Sequence, residues 1–132
     1  MLYERIEALR TRWEDQIAHK IAKGEVVDAI KLSSSPPDRS FKMPGTLAVR
    51  LAEAAGNVLS EEKTEQEWIE IIEAVLESPV RRNVKPLALP ANPSNELRTR
   101  LYKASGLIPG LSKLIGMSMP PPPVTAKRLA SG

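Results

Sequence analysis

The residues able to perform acid–base, nucleophilic or metal chemistry are few in this chain of 132 residues. His19 is the only histidine and cysteine is absent, so a lone imidazole lacks the orienting partner that such catalysis needs. The many glutamates recur at helical spacing, which is typical of a solvated helix face. Neither a glycine-rich phosphate loop nor a metal-ligand cluster is visible. The sequence therefore predicts a protein that is not an enzyme and that holds no cofactor and no metal ion.

Electrostatic chemistry is better represented, because the charge is unevenly distributed. Residues 1–78 contain ten Lys and Arg against fifteen Asp and Glu, a net charge of −5, whereas residues 79–132 contain nine Lys and Arg against Glu96 alone, a net charge of +8. Such asymmetry indicates different partners for the two parts, or contact between neighbouring copies. One interpretation is nucleic-acid binding, in which basic residues neutralise phosphates without reading sequence. Its candidate residues are Arg81, Arg82, Lys85, Arg98, Arg100, Tyr102 and Lys103.

The same basic segment also contains apolar residues that a freely solvated tail does not need. Four of them recur at helical spacing near its end: Leu107, Leu111, Leu114 and Ile115. Burial of apolar surface at about 25 cal/mol per Å² outweighs exposed ion pairs worth about 0–1 kcal/mol each. The favoured prediction is therefore a non-enzymatic adaptor or assembly subunit, which docks these four residues onto a larger protein assembly or onto a copy of itself. Nucleic-acid binding is the alternative.

The element around which the chain is organised is a helix predicted over residues 60–78. Its apolar residues recur every three or four positions and form one stripe: Trp68, Ile71, Ile72, Val75 and Leu76. Ser60 is a candidate amino-terminal cap, and Thr64 with Glu67 forms a second, competing capping box.

Three further helices precede this one. Leu2, Ile6, Leu9, Trp13, Ile17 and Ile21 predict a first helix of about five turns that ends at Gly24. A short helix follows over residues 25–32, and a third begins at Thr46 and ends at Gly56. The sequence thus predicts an all-α fold with a small bundle over residues 1–78.

The remainder, residues 79–132, is predicted to form an extended, proline-rich basic arm. Prolines at positions 86, 90 and 93 favour polyproline II conformation. Two short helices are predicted within the arm, over residues 94–105 and 109–115, with Ser94 as a cap and Pro109 in a first-turn position.

The segment from the third to the fourth helix has a helix-turn-helix layout, but its would-be recognition helix opens with glutamates where a groove-reading helix needs positive charge. By contrast, KGEVVDAIKLSSSPPDRSFKMPGTLAVRLAEAAG, residues 23–56, resembles the middle of actinobacterial integration host factors. SPVRRNVKPL, residues 78–87, is similar to their later arginine pair. The resemblance implies a small helical protein that binds DNA without strong sequence demand. The glycine-containing hairpin of that family is absent, and VLSEEKTEQEW, residues 58–68, stands in its place.

Apolar runs are short throughout, and none approaches the ~18 residues of a membrane span. The amino terminus, MLYERIEALR, has charges where a signal peptide has an apolar stretch. The sequence therefore predicts a protein of the cytoplasm, or of a particle assembled there.

Overall fold

The computed structural model describes residues 2–60 and 63–118, and the part that it describes is all-α, as predicted. These residues form no strand. The helices, in chain order, are α1 (Leu2–Ala22), α2 (Val26–Ser33), α3 (Gly45–Ser60), α4 (Glu65–Glu77), α5 (Asn95–Ser105) and α6 (Pro109–Ser118), with a single 3-10 turn over Arg81–Asn83 between α4 and α5.

A tight reversal joins α1 to α2. Gly24 adopts a φ of +79°, a left-handed conformation that costs a glycine little and that commonly ends a helix. The Glu25 amide then donates to the Lys20 carbonyl at 2.9 Å, and the Lys20 ammonium lies 2.6 Å from the Glu25 carboxylate. The reversal packs α2 back against α1.

The boundary between α3 and α4 differs from the prediction. Gly56 does not end α3, which continues to Ser60. The helix α4 begins after Thr64, whose side chain accepts from the Glu67 amide while the Glu67 carboxylate accepts from the Thr64 amide at 3.1 Å. This capping box satisfies two amides that Ser60 alone could not. The competing cap, not the first candidate, starts the helix.

One core runs through all six helices. Its innermost side chains include Ile17, Ile30, Leu51, Leu59, Val75, Val80, Val84, Leu97, Leu101, Ile108 and Leu111. The predicted arm helices are present as α5 and α6, and their apolar faces belong to this core. Packing these faces within their own chain avoids the loss of translational and rotational freedom that docking on a second molecule would cost. The boundary at residue 78 stays a prediction about independent folding. Residues 119–132 of the predicted arm lie outside the described residues.

Polar contacts with α4 fix the position of α5. The Glu65 carboxylate accepts from both the amide and the hydroxyl of Ser94, at 2.8 and 2.6 Å. Ser94 is the amino-terminal cap of α5, as predicted, and its hydroxyl oxygen accepts from the Leu97 amide. The hydrogen bonds from Ser94 hold the pKa of Glu65 below its ordinary value. About two turns further along the two helices, the Arg100 guanidinium pairs with the Glu73 carboxylate at 2.7 Å.

Candidate nucleic-acid interface

Three basic residues, Arg81, Arg82 and Lys85, lie between α4 and α5 on residues 80–87, a short segment that includes the 3-10 turn over Arg81–Asn83 and that we call the basic turn. Its start is fixed by a buried serine pair. Ser33 donates its hydroxyl hydrogen to the Ile30 carbonyl at 2.5 Å, so Ser78 is the donor in the 2.8 Å bond between the two hydroxyls. The Ser78 oxygen accepts from the Val80 amide at 3.3 Å. Because both serine hydroxyls have hydrogen-bond partners, the turn begins at a defined point on the bundle.

The rest of the basic turn alternates between inward and outward residues. Val84 and Pro86 are buried, whereas Lys85 and Leu87 are exposed, which is the period of an extended chain lying on a surface. The Leu87 amide donates to the Ser60 hydroxyl at 2.5 Å. The backbone is therefore attached to α3, and the Lys85 side chain is directed outward.

Two glycines allow the backbone at Val84 and Lys85 to enter the fold. A Cβ atom built on Gly56 of α3 would lie 2.8 Å from the Lys85 carbonyl oxygen. A Cβ atom built on Gly110 of α6 would lie 2.5 Å from the Val84 carbonyl oxygen. Both distances are shorter than van der Waals contact, so the basic turn is held between α3 and α6 at positions where only glycine fits.

We expect Gly110→Ala to destabilise the protein by about 1–3 kcal/mol, because the added methyl group must displace backbone. Gly116→Ala in the same helix is the matched control. Nothing lies within 4 Å of its added Cβ, and alanine is favoured over glycine in a helix by about 0.5–1 kcal/mol. Urea titrations followed by circular dichroism should therefore move the two midpoints in opposite directions. Equal midpoints for the two variants would show that the backbone of the basic turn moves away from the added methyl group without loss of stability.

The structure separates the predicted basic residues into exposed and engaged groups. Arg82 and Lys85 are exposed on the basic turn. Neither forms an ion pair with a described residue. Arg81 is half-buried, and its guanidinium donates to the Ser78 carbonyl at 3.1 Å. Arg82 and Lys85 are therefore the members of this group with charges available to a ligand.

The basic residues of α5 divide between two sides of that helix. At 100° per residue, Arg100 and Lys103 flank one edge of the buried stripe, and Arg98 and Tyr102 flank the other. Arg100 is engaged by Glu73 and Glu96, whereas Lys103 is exposed. Arg98 is half-buried, and its Nε has no hydrogen-bond partner among the described atoms. The four residues therefore lie on two sides of α5, and Arg100 is compensated by Glu73 of α4 and Glu96 of α5 itself.

Lys113 is a candidate that the sequence analysis did not assign to the nucleic-acid group. It is exposed on α6, which packs against the turn at Arg81–Asn83. Gly110, which meets the Lys85 backbone, lies one helical turn before it on the same side. Its spacing from Gly110 makes Lys113 a candidate to act together with Arg82 and Lys85. In the sequence, the only indication of this position is that Lys113 follows Gly110 by one helical turn. The sequence does not show that Gly110 meets the backbone of Lys85.

The predicted partner-binding residues are distributed differently from the expectation. Leu111 and Ile115 are buried in the core of their own chain, and Leu114 is half-buried. Leu107 alone among the four is exposed, at 52%. In this fold Leu111 and Ile115 are not accessible to a partner, because α6 turns their face towards α5 and the basic turn.

Within the described ranges, no three or more Asp, Glu and His side chains are grouped so that they could hold a metal ion. Over the same residues, no helix has both the length and the apolar character to cross a membrane.

Comparison with known proteins identified no relative: no family model, no curated protein and no solved structure matches this chain. The resemblance to actinobacterial integration host factors therefore stays a prediction.

Proposed function

We propose that this protein binds nucleic acid by contacting phosphates with Arg82, Lys85 and Lys113. The observation that carries the proposal is the exposure of Arg82 and Lys85 on a backbone held between two helices. Their charges are not neutralised by any described carboxylate, unlike that of Arg100. A rigid backbone lowers the ordering cost of binding. The docking function predicted for Leu107, Leu111, Leu114 and Ile115 has less support, because two of these residues are internal.

Contacts of this kind give affinity without strong sequence preference. Lys and Arg bound to phosphates release counterions, so the affinity falls steeply with salt and depends little on base sequence. Lys113 extends the same contact from the adjoining helix.

The test compares the wild-type chain with one double variant, in which both Arg82→Ala and Lys85→Ala are introduced. We expect the double variant to lose about tenfold or more in affinity for a DNA duplex, and the negative slope of log affinity against log salt to become shallower by about 2. Binding would be titrated by fluorescence anisotropy between about 50 and about 200 mM salt, with duplexes of unrelated sequence.

Lys23→Ala with Arg39→Ala is the matched control. Both residues are exposed, outside the basic turn and α6, and the change in net charge is the same. We expect this variant to retain its affinity within about threefold, because its phosphate contacts are intact. Equal losses of affinity in the two double variants would show that net charge, and not the position of Arg82 and Lys85, determines binding. An absence of wild-type binding to duplex DNA, single strands and RNA would refute the proposal.

A further inference from the structure

A cavity of about 250 Å³ lies between α3 and the basic turn, and Lys85 of the proposed phosphate contact borders it. Helix α3 contributes Glu53 and Asn57, which are four residues apart and therefore share one face of that helix. The basic turn contributes Asn83 and Leu87 in addition to the lysine. The helix and the turn thus bring one carboxylate, two side-chain amides and one ammonium group to the same concave surface.

These four polar side chains have hydrogen-bonding capacity that the fold leaves unused. All four are exposed, and within residues 2–60 and 63–118 none of them forms a hydrogen bond or an ion pair. The walls are nevertheless fixed, because the Lys85 backbone meets Gly56 and the Leu87 amide donates to the Ser60 hydroxyl. A concave surface with a few convergent polar groups is typical of a ligand site, and fixed walls lower the ordering cost of binding.

The lining indicates which part of a nucleic acid enters the cavity. Lys85 attracts a phosphate, whereas Glu53 repels one, so the part that meets Glu53 is uncharged. A carboxylate accepts a hydrogen bond from the exocyclic amino group of cytosine, and a side-chain amide such as that of Asn57 both donates to and accepts from base edges. A cavity of about 150 Å³ already holds benzene, so a pyrimidine ring fits here.

We propose that this cavity binds an unpaired base with an exocyclic amino group, in a single strand whose phosphates contact Arg82, Lys85 and Lys113. The inference rests on the proposed function and deepens it, because it names the kind of strand and the kind of base. Unpaired bases present their Watson–Crick edges to a protein, whereas in a duplex these edges are engaged by the opposite strand. Duplex binding therefore stays independent of sequence, and the preference for a base appears in single strands.

Single strands of deoxycytidine and of deoxythymidine, equal in length, test the proposal, because both are pyrimidines with the same number of phosphates. In fluorescence anisotropy titrations of the full chain, the cytosine strand should bind about fivefold or more tightly, since thymine presents an oxygen where cytosine presents its amino group. Glu53→Gln should reduce this ratio to about twofold or less, because an amide can donate to the thymine oxygen as well as accept from cytosine. The ratio is unaffected by the general gain in affinity that follows from loss of a negative charge.

Glu70→Gln is the matched control. Glu70 is exposed on α4, outside the cavity, and the change in net charge is the same, so the ratio should stay at the wild-type value. Asn57→Ala should lower the affinity for the cytosine strand and leave the affinity for a duplex unchanged, because only the unpaired base meets this amide.

Competition with free cytidine monophosphate distinguishes a strand from a single nucleotide. At equal nucleotide concentration it should not displace the cytosine strand, because it lacks the neighbouring phosphates. Displacement would assign the cavity to a free nucleotide and overturn the proposal. Equal wild-type affinities for the two strands, or an equal change of the ratio in Glu53→Gln and Glu70→Gln, would overturn the base preference alone and leave phosphate binding intact. Absence of binding to every strand and duplex would refute the proposed function together with it.

Discussion

A chain that ends at Ser78 is expected to lose cooperative unfolding. The segment that it lacks supplies seven large buried side chains to the core: Val80, Val84, Leu97, Leu101, Ile108, Leu111 and Ile115. Each contributes about 1.5–3 kcal/mol by its burial, whereas a domain has a net stability of only about 5–15 kcal/mol. Removal also exposes the surface of α4 that α5 covers, and the surfaces of α3 and α4 that the basic turn covers.

The measurement is thermal unfolding followed by circular dichroism, with a chain ending at Ser118 as the control. The described core ends at Ile115, so this control should melt in one sharp transition. The shorter chain should retain helical signal but melt broadly. A sharp transition in residues 1–78 alone would restore the two-part organisation predicted from composition, with residues 79–132 as a separate arm.

Replacing Trp68 by alanine is expected to cost about 3–5 kcal/mol, the range for removing a core aromatic side chain. Trp68 is buried on α4. The Lys63 ammonium lies 4.7 Å from the centre of its ring. The change therefore leaves a cavity in the core and removes a cation–π contact worth about 0.5–1 kcal/mol at an exposed site.

Guanidinium titrations would measure this cost, and Leu107→Ala provides the control. Leu107 is largely exposed, so its truncation should change the free energy of unfolding by less than about 0.5 kcal/mol. Trp68→Phe should recover part of the loss by refilling the space with an aromatic ring. An unchanged melting temperature for Trp68→Ala would place the α4 stripe against solvent or a partner.

The helices could be predicted because their signals are local. Ser94, Gly24 and Pro109 mark helix ends in the sequence and do so in the structure. The prediction that α3 ends at Gly56 was wrong for a physical reason. Glycine occurs both at helix ends and at positions where another segment of backbone packs closely against a helix. The neighbour of Gly56 is Lys85, and nothing in the local sequence shows that contact. Only the assembled fold distinguishes the two uses.

The candidate site was predictable in composition but not in arrangement. Arg82 and Lys85 could be chosen as clustered charges near prolines. The engagement of Arg100 by Glu73 joins residues from different helices, so no spacing rule shows it. Leu111 and Ile115 were correctly recognised as an apolar face, but periodicity does not state whether such a face meets its own chain or another.

The shared core also bears on synthesis. Its last described contributor is Ile115, so the fold cannot close until that residue has left the ribosome. At about 5–20 residues per second, translation from Ser78 to Ile115 takes on the order of a few seconds. During that interval the apolar stripe of α4 lacks its cover from α5. The nascent chain therefore passes through a stage at which a chaperone can bind the exposed apolar stripe.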